Sequence, residues 1–205
     1  MKKMIIFDCF GTLIEPPENM AYKKLLLNLN LDLSDMYLNL IKQNNFNWYD
    51  IAIKQGFNEK DADNMIAQFK SSIKRENEQV ELYPNTLEIL NLLKKDYALI
   101  LISNLAEGYI PCVETKLSDF IPDRFYSCCL NMKKPDRNIF EYVLNCYEKK
   151  YKKIQNDNIY VLDDNLNNIK TANSIGMNGF LIHSNNNDNN IVKTKNITDF
   201  YNFLK

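Results

Sequence analysis

The first candidate for a reactive residue in this sequence is Asp8, which follows the apolar run 4–7 directly and precedes Gly11 by three places. An uninterrupted apolar run is typical of a parallel strand buried on both faces, and the glycine indicates a tight turn. Asp8 is therefore predicted at the carboxyl end of a strand. Ligands of open α/β sheets bind at that edge, so a carboxylate there is a candidate for binding or catalysis.

Further polar groups that could take part in chemistry follow later in the chain. Among them, Asp163 and Asp164 come directly after a buried strand, where charged carboxylates cost free energy unless something compensates them. This cost favours a binding site over the alternative, an N-cap for the helix from Asn165. The groups are Ser103 and Asn104 after the apolar run 97–102, Lys134 before Pro135 and Asp136, and Asp163 and Asp164 after the apolar run 159–162.

These groups, taken in order, resemble the four motifs of the haloacid dehalogenase superfamily. Motif I of that superfamily is an apolar run, a nucleophilic aspartate and x-x-Gly-Thr-Leu, and residues 4–13 match it. Motifs II to IV are matched by Ser103 with Asn104, by Lys134, and by Asp163 with Asp164. The resemblance covers residues 4–14 and 82–205. It implies a hydrolase that acts on a small phosphorylated substrate through an aspartyl-phosphate.

The resemblance also implies a role for each matching residue. Mg²⁺ would be held by Asp8, Asp164 and the backbone carbonyl of Phe10, an all-oxygen set that suits this ion, with Asp163 as a second acidic contact, direct or through water. Lys134 and the Ser103 hydroxyl would bind phosphate oxygens, because such reactions depend mostly on positioning and electrostatics. Thr12 would orient the Asp8 carboxylate, and backbone N–H groups around Gly11 and Asn104 would complete the phosphate site.

Phe10 departs from the phosphatase pattern of the superfamily. Phosphatases usually carry a second aspartate at this position, which protonates the leaving group, and general acid catalysis is worth about 10²–10⁴-fold. The favoured interpretation is still a phosphatase, acting on substrates whose leaving group departs readily. Certain sugar-1-phosphate phosphatases of the superfamily resemble this chain at motif I, and acyl or aryl phosphates would suit it for the same reason.

Two other functions stay open. In 2-haloacid dehalogenases an aromatic residue commonly occupies the position of Phe10. Those enzymes work without metal, however, and their sequence reads Ser-Ser-Asn where this chain has Asp163-Asp164-Asn165. They also use an arginine early in the cap, whereas the arginines here are Arg75, Arg124 and Arg137. The other alternative is a phosphate-ligand binding protein without turnover, because a fold does not fix a function.

The elements around these residues predict a doubly wound, Rossmann-like parallel sheet of the α/β class. Buried strands are expected over residues 4–7, 97–102, 125–130, 159–162 and 179–183, with helices between them. A helix is predicted from Pro84 to about Lys95, and a closing helix from Ile197 to Leu204. The Asn-rich stretch from Ser184 to Asn190 is predicted to be a solvated loop.

Between the first strand and residue 82 the sequence changes character. Glu15-Pro16-Pro17 ends the strand, and apolar residues then recur at helical spacing over 20–29, 33–43, 48–55 and 59–78. The section is predicted to be a small all-helical insert. In the resembled superfamily an insertion at this point is a cap over the active site, so residues 15–81 are expected to form a helical cap domain and residues 1–14 and 82–205 the core domain.

Composition sets the remaining expectations. The chain has 205 residues, is 45% hydrophobic and has a net charge of −1, so it carries no basic field for nucleic acid. The apolar stretch 5–13 is too short and interrupted to span a membrane, and a cytoplasmic location is expected. The five cysteines lack metal-type spacing and are expected to be reduced thiols.

Overall fold

The computed structural model describes residues 3–151, 153–183 and 189–205. Within these ranges the chain forms a six-stranded parallel sheet with helices on both faces, and no helix has the length and apolar character needed to cross a membrane. The strands are β1 (Lys3–Phe7), β2 (Tyr97–Ser103), β3 (Asp123–Tyr126), β4 (Ile159–Asp163), β5 (Asn178–Ile182) and β6 (Val192–Thr194). The α-helices are α1 (Met20–Asn28), α2 (Leu33–Leu40), α3 (Trp48–Lys54), α4 (Glu59–Gln79), α5 (Thr86–Leu93), α6 (Ile110–Leu117), α7 (Ser127–Leu130), α8 (Arg137–Lys150), α9 (Leu166–Ser174) and α10 (Ile197–Leu204).

The strand order is β3-β2-β1-β4-β5-β6, which confirms the predicted doubly wound α/β sheet. The chain moves outward from β1 through β2 to β3, and then returns to the other side of β1 for β4, β5 and β6. The order therefore reverses between β1 and β4. In such sheets the crevice beyond the carboxyl ends of the strands at the reversal point binds ligands.

Alternation along β1 explains why both faces of the sheet are covered. Successive side chains of a strand point to opposite faces. Ile5 and Phe7 belong to the hydrophobic cluster that contains α5, α6 and α10, whereas Met4 and Ile6 belong to the cluster that contains α8 and α9. The apolar residues 4–7 of this strand are therefore buried on both sides of the sheet, as the sequence predicts.

Helices α1 to α4 form the helical insert, which lies between β1 and α5. The prediction of an all-helical section is therefore confirmed. It has a small core of its own, and α4 begins at an N-cap in which the side chain of Asn58 accepts a hydrogen bond from the N–H group of Asp61. The two connections to the sheet run side by side, since Glu15 donates to the carbonyl oxygen of Glu81 and Tyr83 donates to that of Leu13. The domain boundaries at 14/15 and 81/82 remain a prediction. The core of the insert contains Leu25, Leu29, Ala52, Ala62 and Met65.

Two details of the sheet differ from the sequence-based expectation. The strand expected over 125–130 is wrong in its second half, because β3 spans Asp123–Tyr126 and Ser127–Leu130 forms the short helix α7. The edge strand β6 was not predicted, since three residues are too few to show a period of two. Residues 184–188 of the predicted Asn-rich loop lie outside the described ranges.

Candidate active site

Asp8 lies at the carboxyl end of β1 and continues the pairing of that strand, because its N–H group donates to the carbonyl oxygen of Leu162 over 2.9 Å. The chain then turns tightly, and the N–H group of Ile14 donates to the carbonyl oxygen of Cys9 over 3.0 Å. The turn brings Thr12 next to Asp8, and the Thr12 hydroxyl donates to Oδ2 of Asp8 over 3.3 Å. Both side chains are buried, so this contact holds the carboxylate in one orientation.

Lys134 is the cation at the centre of the site. Its buried ammonium group donates to Oδ1 of Asp8 over 2.5 Å and to Oδ2 of Asp163 over 2.6 Å. Asn104, directly after β2, fixes the backbone of this lysine with two hydrogen bonds. Nδ2 of Asn104 donates to the Lys134 carbonyl oxygen over 2.8 Å, and the Lys134 N–H group donates to Oδ1 of Asn104 over 2.9 Å. The ends of β1, β2 and β4 together therefore set the position of one ammonium group.

Asp163 is fully buried, and both of its carboxylate oxygens accept hydrogen bonds. Oδ1 accepts from the N–H group of Asn165 over 2.8 Å and from Nδ2 of Asn168 over 2.9 Å. Oδ2 accepts from Lys134, and Nδ2 of Asn168 also lies 3.0 Å from it. These donors compensate the burial of the charge, and they join the first turns of α9 to the lysine.

Asp164 differs from Asp163 in being solvent-exposed, and its carboxylate packs over Gly11. Gly11 has a φ of +85°, and a Cβ atom built on it would lie 2.3 Å from Oδ2 of Asp164. The position therefore requires glycine for two reasons, the left-handed backbone and the close approach of the carboxylate. This approach brings Asp164 to the same edge of the sheet as Asp8.

The three carboxylates fit the requirements of a hard divalent cation. One oxygen from each of Asp8, Asp163 and Asp164 lies within 4.8 Å of the others. Mg²⁺ prefers oxygen ligands and typically takes only one or two carboxylates, keeping several waters. The exposed Asp164 suits direct contact, as does Oδ2 of Asp8, which accepts from the Thr12 hydroxyl over 3.3 Å. Both oxygens of Asp163 already accept from nitrogen donors and suit contact through water.

The charges of these groups are not balanced. Burial raises the pKa of Asp8 to about 7; Lys134 opposes this shift, and the charges of Asp163 and Asp164 add to it. Burial lowers the pKa of Lys134, but the attraction of Asp163 and Asp8 outweighs it, so the pKa of the ammonium group is raised overall. Burial and then the charge of Asp163 raise the pKa of Asp164. Three acids face one ammonium group, and a bound cation would relieve their repulsion.

A cavity of about 910 Å³ opens between this edge of the sheet and the helical insert. Of the predicted site residues, Asp8, Phe10, Asn104, Lys134 and Asp164 line it. Ser103, Thr12 and Asp163 are buried and, with Gly11, lie outside its lining. The insert contributes a mixed polar and apolar wall, which consists of Asn19, Tyr22, Lys23, Asp32, Leu38, Leu40 and Ile41.

Comparison with known protein families identifies the chain. A family model described as haloacid dehalogenase-like hydrolase matches residues 3–182. The chain belongs to the haloacid dehalogenase-like hydrolases. This finding confirms the resemblance that the four motifs indicate, and the matched range includes Asp8, Lys134 and Asp164. A search of curated protein sequences finds no match.

Solved structures of this hydrolase family share the fold of the whole chain. A predicted phosphoglycolate phosphatase from Haemophilus somnus 129PT has a TM-score of 0.68 and 18% identity, covering 100% of this chain and 98% of that one. A 2-haloacid dehalogenase from Pseudomonas syringae pv. tomato DC3000 has a TM-score of 0.74 and 15% identity, with coverages of 100% and 98%. A family enzyme from Bacteroides thetaiotaomicron, in complex with magnesium and inorganic phosphate, has a TM-score of 0.65 and 16% identity, with coverages of 93% and 98%. At these identities the similarity establishes the fold.

Phe10 presents an aromatic ring to the cavity of this hydrolase. The ring packs edge-on against that of Tyr109, with 6.0 Å between the ring centroids. Tyr109 also lines the cavity, so the wall beside the nucleophile candidate is aromatic. A phenyl ring has no proton to donate to a leaving group.

Asn168 and the side chain of Asn104 were missed by sequence reasoning. Asn168 stands five residues after Asp163, three after the N-cap Asn165, so the first turn of α9 brings its amide back to the carboxylate. That spacing is a usable signal once the helix start is known. The Asn104 side chain gives no such signal, because its partner Lys134 is 30 residues away.

The close approach of Asp164 to Gly11 predicts a specific loss of stability. Gly11→Ala and Gly56→Ala both place a methyl group on a left-handed backbone, at φ of +85° and +89°, and each is expected to cost about 1–2 kcal/mol for that reason. Only Gly11 has a neighbour in the way, since nothing lies within 4 Å of a Cβ built on Gly56. Gly11→Ala is therefore expected to lower the free energy of unfolding in urea by roughly 1–3 kcal/mol more than Gly56→Ala. Equal losses would show that Asp164 moves aside freely.

Proposed function

We propose that this hydrolase is a Mg²⁺-dependent phosphatase of small phosphorylated metabolites. The observation that carries the proposal is the pairing of Lys134 with Asp8 and Asp163 beside Asp164, at the reversal point of the sheet. A nucleophile, a cation for phosphate oxygens and an acidic pair for a metal meet there. The enzyme from Bacteroides thetaiotaomicron that binds magnesium and inorganic phosphate shares this fold, which supports the same choice of ligands.

The proposed reaction has two steps. The Asp8 carboxylate attacks phosphorus, so an O–P bond forms to Asp8 while the ester O–P bond breaks and the leaving group departs with the electron pair. Water then attacks the aspartyl-phosphate, which releases inorganic phosphate and restores the carboxylate. Thr12 keeps Asp8 oriented through both steps. The ammonium group of Lys134, which lies against Asp8, stabilises the negative charge on the phosphoryl oxygens.

The metal would be held by Asp8, Asp164 and the backbone carbonyl of Phe10, with Asp163 in contact through water. When bound, Mg²⁺ supplies positive charge that neutralises the phosphoryl oxygens. Asp163 has a second task in this proposal, because its hydrogen bonds to Asn168 and Lys134 keep the ammonium group beside the nucleophile. Asn104 positions Lys134 from the other side. The backbone N–H group of Asn104 would donate a hydrogen bond to phosphate.

Ser103 has a narrower place in the proposal than the sequence motif suggests. Its side chain is 1% exposed and lies outside the cavity lining, whereas Asn104 lines the cavity. The backbone after β2 therefore offers phosphate a more accessible donor than the Ser103 hydroxyl does. Direct binding of phosphate by Ser103 would require the end of β2 to open toward the cavity.

The substrates are expected to have leaving groups of low pKa, because Phe10 supplies no acid. Sugar 1-phosphates are the proposed class, and acyl or aryl phosphates share the property. We also propose that residues 15–81 act as a cap domain over the core of residues 1–14 and 82–205. A cavity of this size between the two parts suits a small molecule.

The second candidate function is 2-haloacid dehalogenase activity, which the aromatic Phe10 and the shared fold of the Pseudomonas syringae dehalogenase favour. The charges of the site oppose it. Asp163 and Asp164 would repel a carboxylate substrate, and among the described residues that line the cavity there is no arginine. Arg124 pairs with Glu114 and Arg137 with Glu141, away from the cavity.

The experiment that tests the proposed function is hydrolysis of 4-nitrophenyl phosphate by the purified protein, with and without Mg²⁺. Metal-dependent release of phosphate is expected, and Asp8→Asn should abolish it because the amide is not a nucleophile. Phosphate release without Mg²⁺, or at the same rate in Asp8→Asn, would contradict the mechanism. If no phosphate is released, halide release from 2-chloropropionate separates a dehalogenase from a phosphate-ligand binding protein.

A further inference from the structure

One segment of the core forms several hydrogen bonds to the helical insert. We call residues 107–112, which follow β2 and include a 3₁₀ turn and the start of α6, the docking segment. Asn77 of α4 binds it twice, because Nδ2 of Asn77 donates to the carbonyl oxygen of Gly108 over 2.8 Å and Oδ1 accepts from the N–H group of Cys112 over 3.2 Å. The N–H group of Gly108 donates to the hydroxyl of Tyr22 in α1 over 3.1 Å. Two helices of the insert are thus bonded to one backbone segment.

Glu76 joins three elements at this junction. Its Oε2 accepts a hydrogen bond of 2.5 Å from the hydroxyl of Tyr109, and its Oε1 accepts one of 2.7 Å from the N–H group of Ala21 in the first turn of α1. Glu76 is half-buried and Tyr109 is 3% exposed, so water competes little for the bond between them. Hydrogen bonds to a carboxylate are roughly twice as strong as neutral ones.

Packing at Gly108 shows how closely the insert approaches. A Cβ atom on Gly108 would lie 2.7 Å from the hydroxyl oxygen of Tyr22 and 2.9 Å from Cγ1 of Ile73. The backbone of the docking segment therefore touches side chains of α1 and α4 directly. A side chain larger than hydrogen at residue 108 would therefore push these two helices away.

Tyr109 connects this junction to the nucleophile turn. Its ring packs edge-on against Phe10, with 6.0 Å between centroids, and lies tilted against the ring of Tyr22 at 5.7 Å. Tyr109 also lines the cavity. We propose that Tyr109 is a positioning residue, whose hydroxyl holds the helical insert over the cavity through Glu76 while its ring fixes Phe10 beside Asp8. The consequence for catalysis rests on the proposed phosphatase function, whereas the structural coupling does not.

The hydroxyl and the ring can be tested separately. Tyr109→Phe keeps the ring against Phe10 and removes only the donor to Glu76. Glu76→Ala removes the acceptor, whereas Glu76→Gln can still accept from Ala21 through Oε1 and donate to the Tyr109 hydroxyl through Nε2. Glu78→Gln is the matched control, because Glu78 lies on the same helix but is exposed.

Hydrogen exchange of the backbone amides of Ala21, Gly108 and Cys112, measured by NMR, reports the opening of the junction without reference to activity. Tyr109→Phe and Glu76→Ala are expected to raise these exchange rates about tenfold, the effect of losing roughly 1.4 kcal/mol, with Glu76→Gln closer to the native rate and Glu78→Gln unchanged. Amides of β4 should keep their rates. Equal acceleration throughout the protein, or none at the junction, would overturn the proposal.

Kinetics then test the link to catalysis. With 4-nitrophenyl phosphate and Mg²⁺, Tyr109→Phe is expected to raise KM more than it lowers kcat, because an open insert binds substrate less often but leaves Asp8 and Lys134 intact. Glu76→Gln should raise KM less than Tyr109→Phe does, because it keeps a hydrogen bond to the Tyr109 hydroxyl. An effect on kcat alone would contradict the positioning role. Faster exchange in a protein whose native form releases no phosphate would refute the phosphatase and leave the junction established.

Discussion

Lys134→Met is expected to lower the free energy of unfolding by about 3–5 kcal/mol and to remove the proposed phosphatase activity. The methionine fills the space of the lysine stem, but Asp8 and Asp163 lose the ammonium group that lies 2.5 Å and 2.6 Å from their oxygens. Two buried carboxylates then face each other without a cation, and only neutral donors such as Thr12 and Asn168 remain bonded to them. Urea unfolding in the presence of EDTA measures this loss without a contribution from bound metal.

Lys133→Met is the matched control for this variant. Lys133 is the neighbouring residue, it is half-buried, and no ion pair to it is found among the described residues. A change within about 0.5 kcal/mol is expected there, as for surface substitutions in general. If Lys134→Met cost no more than Lys133→Met, the carboxylates would have to be protonated or hydrated in the folded protein.

A double variant separates the lost ion pairs from lost packing. Lys134→Met combined with Asp163→Asn removes one of the stranded charges, while the amide can keep a hydrogen bond to Asn168. The double variant is expected to be more stable than Lys134→Met alone, because residues that share an ion pair do not contribute additively. Additive losses would assign the effect of Lys134→Met to packing.

The main part of the fold could be predicted because parallel strands leave a simple record in the sequence. Strands β1, β2 and β4 contain the apolar runs 4–7, 97–102 and 159–162, which pack on both faces of the sheet, and a polar residue follows each run at once. Since their carboxyl ends meet at one edge of the sheet, Asp8, Asn104 and Asp163 had to lie close together. Nothing beyond strand identity and order was needed for that inference.

Other parts depend on distances that a local pattern does not contain. The bond between Glu76 and Tyr109 joins residues 33 apart on different units, and neither residue differs in its neighbourhood from many surface glutamates or core tyrosines. The same holds for the aromatic contact of Phe10 with Tyr109. The helix α7 was mistaken for strand because Ser127–Leu130 is a single turn, too short to show a helical period.

The sequence also could not show that Asp163 is buried whereas Asp164 is exposed. Asp163 is the last residue of β4 and Asp164 follows it, and alternation alone says that their side chains point in different directions. The structure shows that Asp163 turns inward to Lys134 and Asn168, whereas Asp164 stays exposed over Gly11. Identical residues therefore have different roles, one organising the lysine and one available to a cation.

Phe10→Asp is expected to raise kcat/KM for alkyl phosphates by about 10²–10⁴-fold, since it supplies the general acid that this chain lacks. The side chain of residue 10 already lines the cavity beside Asp8, and the substitution keeps the backbone carbonyl proposed as a metal ligand. With 4-nitrophenyl phosphate the rate should change little, because nitrophenolate departs without a proton. The gain should therefore grow as the pKa of the leaving group rises, measured with a series from aryl phosphates to glycerol 3-phosphate.

Phe10→Asn is the control that isolates the proton, because asparagine matches aspartate in size but has no acidic proton. Both variants lose the ring contact with Tyr109, worth about 0.5–1.5 kcal/mol, so any change in the position of the nucleophile turn is common to them. A gain in Phe10→Asp that Phe10→Asn lacks would show that the native site is short of one proton donor at residue 10. Equal rates for the two variants across the series would mean that the proton comes from elsewhere, and that Phe10 serves to shape the cavity and pack against Tyr109.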